Sequence, residues 1–262
     1  MVRGQMAGTD GGSAALIAES LSKRFGSLQA VDAVTLRVGG GELFGFLGAN
    51  GAGKTTTLKM LAGLLRPDAG RIAVAGYDIR AAPLQAKAVL GYMPDPPYLY
   101  EKLTGREYVD FIADIYRVPG GAARQERIAG LLRLLDLADA GDDLVEGYSH
   151  GMRQKIALAA MLLHDPQVFL LDEPTNGLDP RSRRVVREIL TDLARRGKTV
   201  LLSTHILEVA QAMCDRVAII DKGRIVATGT LDELRRAANL GGASSLEDIF
   251  LSLTGGAEYG EW

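Results

Sequence analysis

Lys54 and Thr55 directly follow the glycine-rich run Gly48-Ala49-Asn50-Gly51-Ala52-Gly53, and this segment is the strongest chemical signal in the chain. It meets the pattern G-x-x-x-x-G-K-[ST] at every constrained position. Such a loop closes backbone N–H groups round the β-phosphate of a nucleoside triphosphate. The Lys54 ammonium supplies a point charge for the β/γ oxygens, and the Thr55 hydroxyl supplies a ligand for Mg²⁺. Gly48 to Thr55, with Thr56 behind them, are the expected nucleotide contacts. A second chemical centre is acidic. The apolar run Val168-Phe169-Leu170-Leu171 ends in Asp172-Glu173-Pro174. A buried strand there delivers two carboxylates to its C-terminal edge, where open α/β sheets place their ligands. Asp172 can hold Mg²⁺, directly or through water, and Glu173 can polarise the water that attacks the γ-phosphate.

These residues need strands to carry them and a helix to face the phosphates. Glu42 to Leu47 reads as a buried strand running into the loop, and Thr56 to Ala62 as the helix behind it. Leu16 to Ser20 and Ala30 to Val38 alternate as half-buried strands do, and Gly39-Gly40-Gly41 is a turn. Arg71 to Val74 and Leu90 to Met93 are further strands, the latter stopped by Pro94, Pro96 and Pro97. From Thr104 to about Leu163 the period becomes helical. Tyr108, Phe111, Ile112 and Ile115 form one stripe, and Ile128, Leu131, Leu132 and Leu135 another, separated by Pro119-Gly120-Gly121. Beyond the acidic strand, Val185, Val186, Ile189, Leu190 and Leu193 mark a helix, and Thr199 to Leu202 and Val217 to Ile220 mark core strands. Leu246, Ile249, Phe250 and Leu253 form the face of a last helix, stopped by Gly255-Gly256. The rhythm of strand, helix and strand predicts a parallel sheet with helices packed on it.

Composition narrows the class. Hydrophobic residues make up 47% and charged residues 24% of 262, the balance of a globular chain with a core of ordinary size. A net charge of −2 argues against a surface that coats nucleic acid, so no nucleic-acid partner is expected. The single cysteine, Cys214, excludes an internal disulfide and reads as a small buried apolar residue. No run approaches the ~18 apolar residues of a spanning helix. Residues 1–14 read as a disordered leader without the apolar core of a secretory signal, and 255–262 as a flexible tail.

Over residues 15–254 the chain resembles the ATP-binding subunit of an ATP-binding-cassette (ABC) transporter. The resemblance rests on the phosphate loop, on Asp172-Glu173 and on Tyr148-Ser149-His150-Gly151-Met152 at the signature position. Asn176-Gly177-Leu178-Asp179 adds the D-loop and Ser203-Thr204-His205 the switch histidine. It implies an α/β fold: a P-loop NTPase core of mixed, mainly parallel sheet, an N-terminal antiparallel β part, and an inserted α-helical subdomain over about residues 96–164. It implies ATP and Mg²⁺ as cofactors, with Thr55, Asp172 and Asp95 at the metal. Lys54, Glu173 and His205 become catalytic, and Phe25 stacks on adenine. Ser149 and Gly151 would bind the γ-phosphate held by a second copy of the chain. A separate transmembrane permease would tie the protein to the cytoplasmic face of the cell membrane and use its ATP hydrolysis for export. A soluble ATPase of the same family acting on ribosomes or DNA would carry two cassettes, sustained heptads or a basic linker, and this sequence has none of them.

The sequence departs from the family's pattern in two places. In the signature, His150 stands for the first Gly of Leu-Ser-Gly-Gly-Gln and Met152 for the Gln, a form resembling the export branch. Gly91-Tyr92-Met93-Pro94-Asp95 ends in Asp where the family has Gln or Glu, so Asp95 is one methylene short for a metal contact.

Overall fold

The computed structural model describes residues 14–242 and 244–255. In chain order it runs β1 (Ala14–Phe25), β2 (Leu28–Gly39), β3 (Leu43–Leu47), α1 (Lys54–Leu61), β4 (Ala69–Val74), β5 (Tyr77–Asp78), α2 (Pro83–Ala88) and β6 (Leu90–Met93). The helices α3 (Gly105–Ile115), α4 (Ala122–Leu134) and α5 (His150–His164) follow. Then come β7 (Val168–Asp172), α6 (Pro180–Arg195), β8 (Thr199–Thr204), α7 (Leu207–Met213), β9 (Arg216–Asp221), β10 (Arg224–Gly229), α8 (Leu231–Ala237) and α9 (Leu246–Thr254).

The strands form two sheets. A six-stranded sheet has the order β10-β9-β3-β8-β7-β6, parallel throughout except for the edge strand β10. β3, β7 and β8 are buried at every position, as strands covered on both faces must be, and so read as unbroken apolar runs. The second sheet is antiparallel, in the order β2-β1-β4-β5. One apolar cluster fills the space between the two sheets around α1, with Phe44, Phe46, Leu58 and Leu201 at its centre. A second lies on the opposite face, where Phe169, Leu171 and Val200 meet α3, α5 and α6. The mixed, mainly parallel α/β core with its antiparallel N-terminal part is the architecture expected.

Several local expectations need correction. β1 and β2 are longer than the alternation indicates, because register shifts such as the one between Ala18 and Leu21, with Ser20 at φ 50° and Ala33 at 49°, break the period of two. Ala14 already belongs to β1, so the expected leader loses one residue; residues 1–13 and 256–262 lie outside the described ones. On α3 the buried face is Gly105, Tyr108, Val109 and Ala113, while Phe111 and Ile115 are exposed. Thr104 caps that helix in a capping box with Glu107. The short α2, α7 and α8 and strand β5 are too brief to show a period, and the edge strand β10, six residues long, is not among the expected strands either. The last helix, α9, packs Leu246 and Ile249 onto Val217 and Ile219 of β9, and Gly255 closes it in the left-handed conformation. Among the described residues no helix is long and apolar enough to cross a membrane.

Candidate functional site

The C-terminal ends of β3, β7 and β8 bring the chemistry together. β3 leads straight into the glycine-rich loop, and α1 begins at Lys54 with its N-terminus toward the loop. Two glycines are required by space. A Cβ on Gly48 would sit 2.5 Å from the Ile220 carbonyl oxygen of β9. Gly53 has φ +108°, and a Cβ there would lie 2.6 Å from the Ala30 carbonyl oxygen. The loop is thus pressed between β9 and β2; the Ala52 N–H donates back to the Ala49 carbonyl at 3.1 Å, and the loop runs directly into the N-terminus of α1.

Lys54 is buried. Its Nζ donates to the Gly48 carbonyl at 2.7 Å and the Ala49 carbonyl at 3.4 Å, and stands 3.5 Å from Glu173 Oε1. Asp172, the last residue of β7, is paired in register with Ser203 of β8 and is 1% exposed. Its Oδ1 accepts from the Ser203 hydroxyl, while Oδ2 is buried with no hydrogen-bond partner. Burial pushes the Asp172 carboxyl above its ordinary value, and the hydrogen bond from the Ser203 hydroxyl pulls it back. A buried carboxylate oxygen with no donor, next to the Thr55 hydroxyl, fits a hard cation with oxygen ligands.

Glu173 follows at φ 47°, a conformation that costs a non-glycine residue energy. Its backbone N–H donates to the Ser203 carbonyl at 3.1 Å, which holds the turn. Glu173 Oε2 lies 3.0 Å from His205 Nδ1 and accepts the His205 backbone N–H at 3.3 Å. One carboxylate therefore connects Lys54 on α1 to His205 beyond β8.

A cleft of about 590 Å³ runs out from these groups. It is lined by Ala49, Asn50, Gly51, Gly53, Lys54, Thr55 and Thr56 of the loop and by Asp95, Asp172 and Glu173. Phe25, half exposed at the end of β1, also lines it, with Lys23 Nζ 5.6 Å from the ring centre. Gln29, Ala30 and Lys222 also line it, and the sequence pattern does not reveal them. Lys222 sits in the β9–β10 turn, which reaches the loop through long-range contacts: Gly223 N–H donates to the Ala52 carbonyl and Asp32 N–H to the Gly223 carbonyl. The only signal in the sequence is Asp221-Lys222-Gly223 between two strands, that of a tight turn, in which Lys222 has a left-handed φ of 47°.

Ser149 and Gly151 are not among the residues lining this cleft. Ser149 is the N-cap of α5, its hydroxyl oxygen accepting the Met152 N–H at 3.3 Å, and the helix begins at His150. A serine hydroxyl that accepts in this way keeps its own hydrogen for another acceptor. Asp95 lines the cleft, yet both its oxygens accept from side-chain amides, those of Gln154 and Asn176.

The profile of the family described as "ABC transporter" matches residues 31–176, more than half of the chain. The chain belongs to the ABC transporter family. It is 42% identical to daunorubicin resistance ATP-binding protein DrrA3 of Streptomyces coeruleorubidus, over 84% of this chain and 70% of that protein. It is 39% identical to Nod factor export ATP-binding protein I of Ralstonia nicotianae, over 86% of this chain and 70% of that one. A solved structure described as the ATP-binding subunit of an ABC transporter superposes with a TM-score of 0.85 at 35% identity, covering 91% of this chain and 99% of that one. This cassette is an ATP-binding and ATP-hydrolysing subunit of the family.

Proposed function

We propose that this cassette drives export through a separate membrane-spanning subunit, and that ATP closes two copies of the chain head to tail. The observation that carries the reading is the division of the phosphate-binding groups. Lys54, Thr55, Asp172 and Glu173 converge on one cleft, whereas the α5 N-terminus with Ser149 and Gly151 lies outside it. A second copy can supply that N-terminus, whose dipole and free hydroxyl suit a γ-phosphate. Each nucleotide then joins two chains, and its hydrolysis releases them.

Within each site the residues divide the work. The loop N–H groups and Lys54 hold the β- and γ-phosphates, and Phe25 stacks on the base. Glu173 accepts a proton from the attacking water, with His205 holding its carboxylate in place. Thr55 and Asp172 would hold Mg²⁺, which neutralises charge on the β- and γ-oxygens when bound. Residues 96–164 serve as a helical subdomain that carries Ser149.

An apolar groove of about 380 Å³ supports the second partner. Tyr92 and Met93 of β6, Tyr108 and Ile112 of α3, and Ala160 and Met161 of α5 line it. Tyr98 and Leu64, 80% and 63% exposed, add apolar surface to its lining. The groove suits an apolar segment of the transmembrane subunit, which holds the cassette at the inner face of the cell membrane. The relatives whose names print resistance and export favour that direction of transport.

The test is the change Glu173→Gln in purified protein. It should bind ATP, form a dimer that elutes as such, and lose at least about 100-fold in turnover. Normal turnover would remove Glu173 from its role; a variant that binds ATP and stays monomeric would overturn the two-chain site.

A further inference from the structure

Two positions at which this chain departs from the family's pattern, 95 and 150, are neighbours in space. The Asp95 carboxylate follows β6 and reaches two other segments. Its Oδ1 accepts from Gln154 Nε2 of α5 at 2.9 Å, and its Oδ2 accepts from Asn176 Nδ2, between β7 and α6, at 2.8 Å. His150 Nε2 stands 3.5 Å from the same Oδ1. Gln154 is 1% exposed; its Oε1 has no hydrogen-bond partner among the described residues, and Asp95 accepts from its Nε2, so Asp95 satisfies the donor half of this buried amide.

The same segments touch directly. Gly177 has φ +69°, and a Cβ there would lie 2.3 Å from His150 Cδ2, so the imidazole rests on the bare backbone. A Cβ on Gly151 would lie 3.0 Å from the Gly177 carbonyl oxygen. Asn176 in turn donates its backbone N–H to the Glu173 carbonyl at 3.0 Å. A chain of contacts therefore runs from Ser149–Gly151 through Asp95 and Asn176 to the backbone of Glu173.

A carboxylate matches these partners. It presents acceptors on both oxygens, and the amides of Gln154 and Asn176 present donors. A Gln at 95 would turn one N–H₂ group toward a donor, and a Glu would carry the charge one methylene further. We propose that Asp95 is a positioning residue that clamps the signature turn Ser149–Gly151 to the Asn176–Leu178 loop, with His150 as its matched partner, and that it is not a ligand of Mg²⁺. This rests on the reading that Ser149 and Gly151 complete the site of a second copy. The clamp fixes where that donated edge stands relative to the chain's own Glu173.

Asp95→Asn tests it, because the size is kept and one acceptor is replaced by a donor. Hydrogen exchange of the ATP-free monomer should speed up at residues 149–154 and 175–178 and stay unchanged in β3 and β8. In steady state, kcat should fall on the order of tenfold to a hundredfold, with KM for ATP and the half-saturating Mg²⁺ concentration unmoved. His150→Gly should also lower kcat, and the double variant should lose nothing further. A raised Mg²⁺ requirement with unchanged exchange would make Asp95 a metal contact and overturn the proposal. Faster exchange throughout the chain would reduce it to a general structural role, and multiplicative losses would break the pairing with His150. The exchange is read without ATP or dimer. It stands apart from the two-chain reading, whose own failure shows as a monomeric Glu173→Gln variant.

Discussion

Asp172 sits at the end of an all-buried strand with one carboxylate oxygen on Ser203 and the other without a partner. Leaving a buried acceptor unpaired costs roughly 1–3 kcal/mol, and more when the group is charged. Burial penalises the charged form and raises the carboxyl's pKa above its ordinary value. A divalent ion offsets that penalty, and a nucleotide arriving with Mg²⁺ would supply one. Asp172→Asn keeps the acceptor for Ser203 and removes the charge. We expect ATP turnover to fall at least about 100-fold and the gain in ATP affinity on adding Mg²⁺ to vanish, measured by phosphate release and by titration with and without EDTA. A variant whose ATP affinity still rises with Mg²⁺ would show that Asp172 does not hold the ion.

At the scale of elements, what the sequence made legible was local. The strand, loop and helix around Lys54, and the strand ending at Asp172, are continuous segments whose residue types announce both structure and chemistry. Lys222 and the partners of Asp95 were hidden for the opposite reason. They arrive through contacts between distant segments, and no period or spacing records these. The face of α3 was misjudged because Phe111 and Ile115 fit the helical stripe yet point away from the core. Under the proposed function the membrane subunit would cover these exposed apolar side chains and the groove between β6, α3 and α5. Leu64→Glu with Tyr98→Glu tests this. Both side chains are more than half exposed, so the unfolding free energy should move by less than about 0.5 kcal/mol each. Co-purification of the membrane subunit expressed alongside should be lost. A doubly charged variant that still pulls the subunit through size exclusion would place the docking surface elsewhere.

At the scale of the whole molecule, the proposed division of the site between a cleft and a separate helix N-terminus has a consequence that mixing can expose. A Lys54→Ala chain has a damaged cleft and an intact Ser149. A Ser149→Glu chain has an intact cleft and presents a negative side chain to the γ-phosphate, an unfavourable pairing of like charges. Each homodimer carries the same lesion twice and should be nearly inactive. In a heterodimer of the two, one site combines both lesions, and the other combines an intact Lys54 with an intact Ser149. Random pairing of equal amounts then restores up to about a quarter of the wild-type sites. Phosphate release from the mixture should exceed the sum of the two preparations, and should fall on dilution as pairs separate. A chain that completes its site alone gives activities that add and no more, at every protein concentration. The same comparison locates the defect of the Ser149→Glu chain. Ser149 also caps α5, and a disturbance that spread from that helix to the chain's own cleft would travel with the Ser149→Glu chain into every dimer. In the productive heterodimer site the Ser149→Glu chain contributes only its cleft, so recovery there assigns the defect of its homodimer to the α5 edge it presents across the pair.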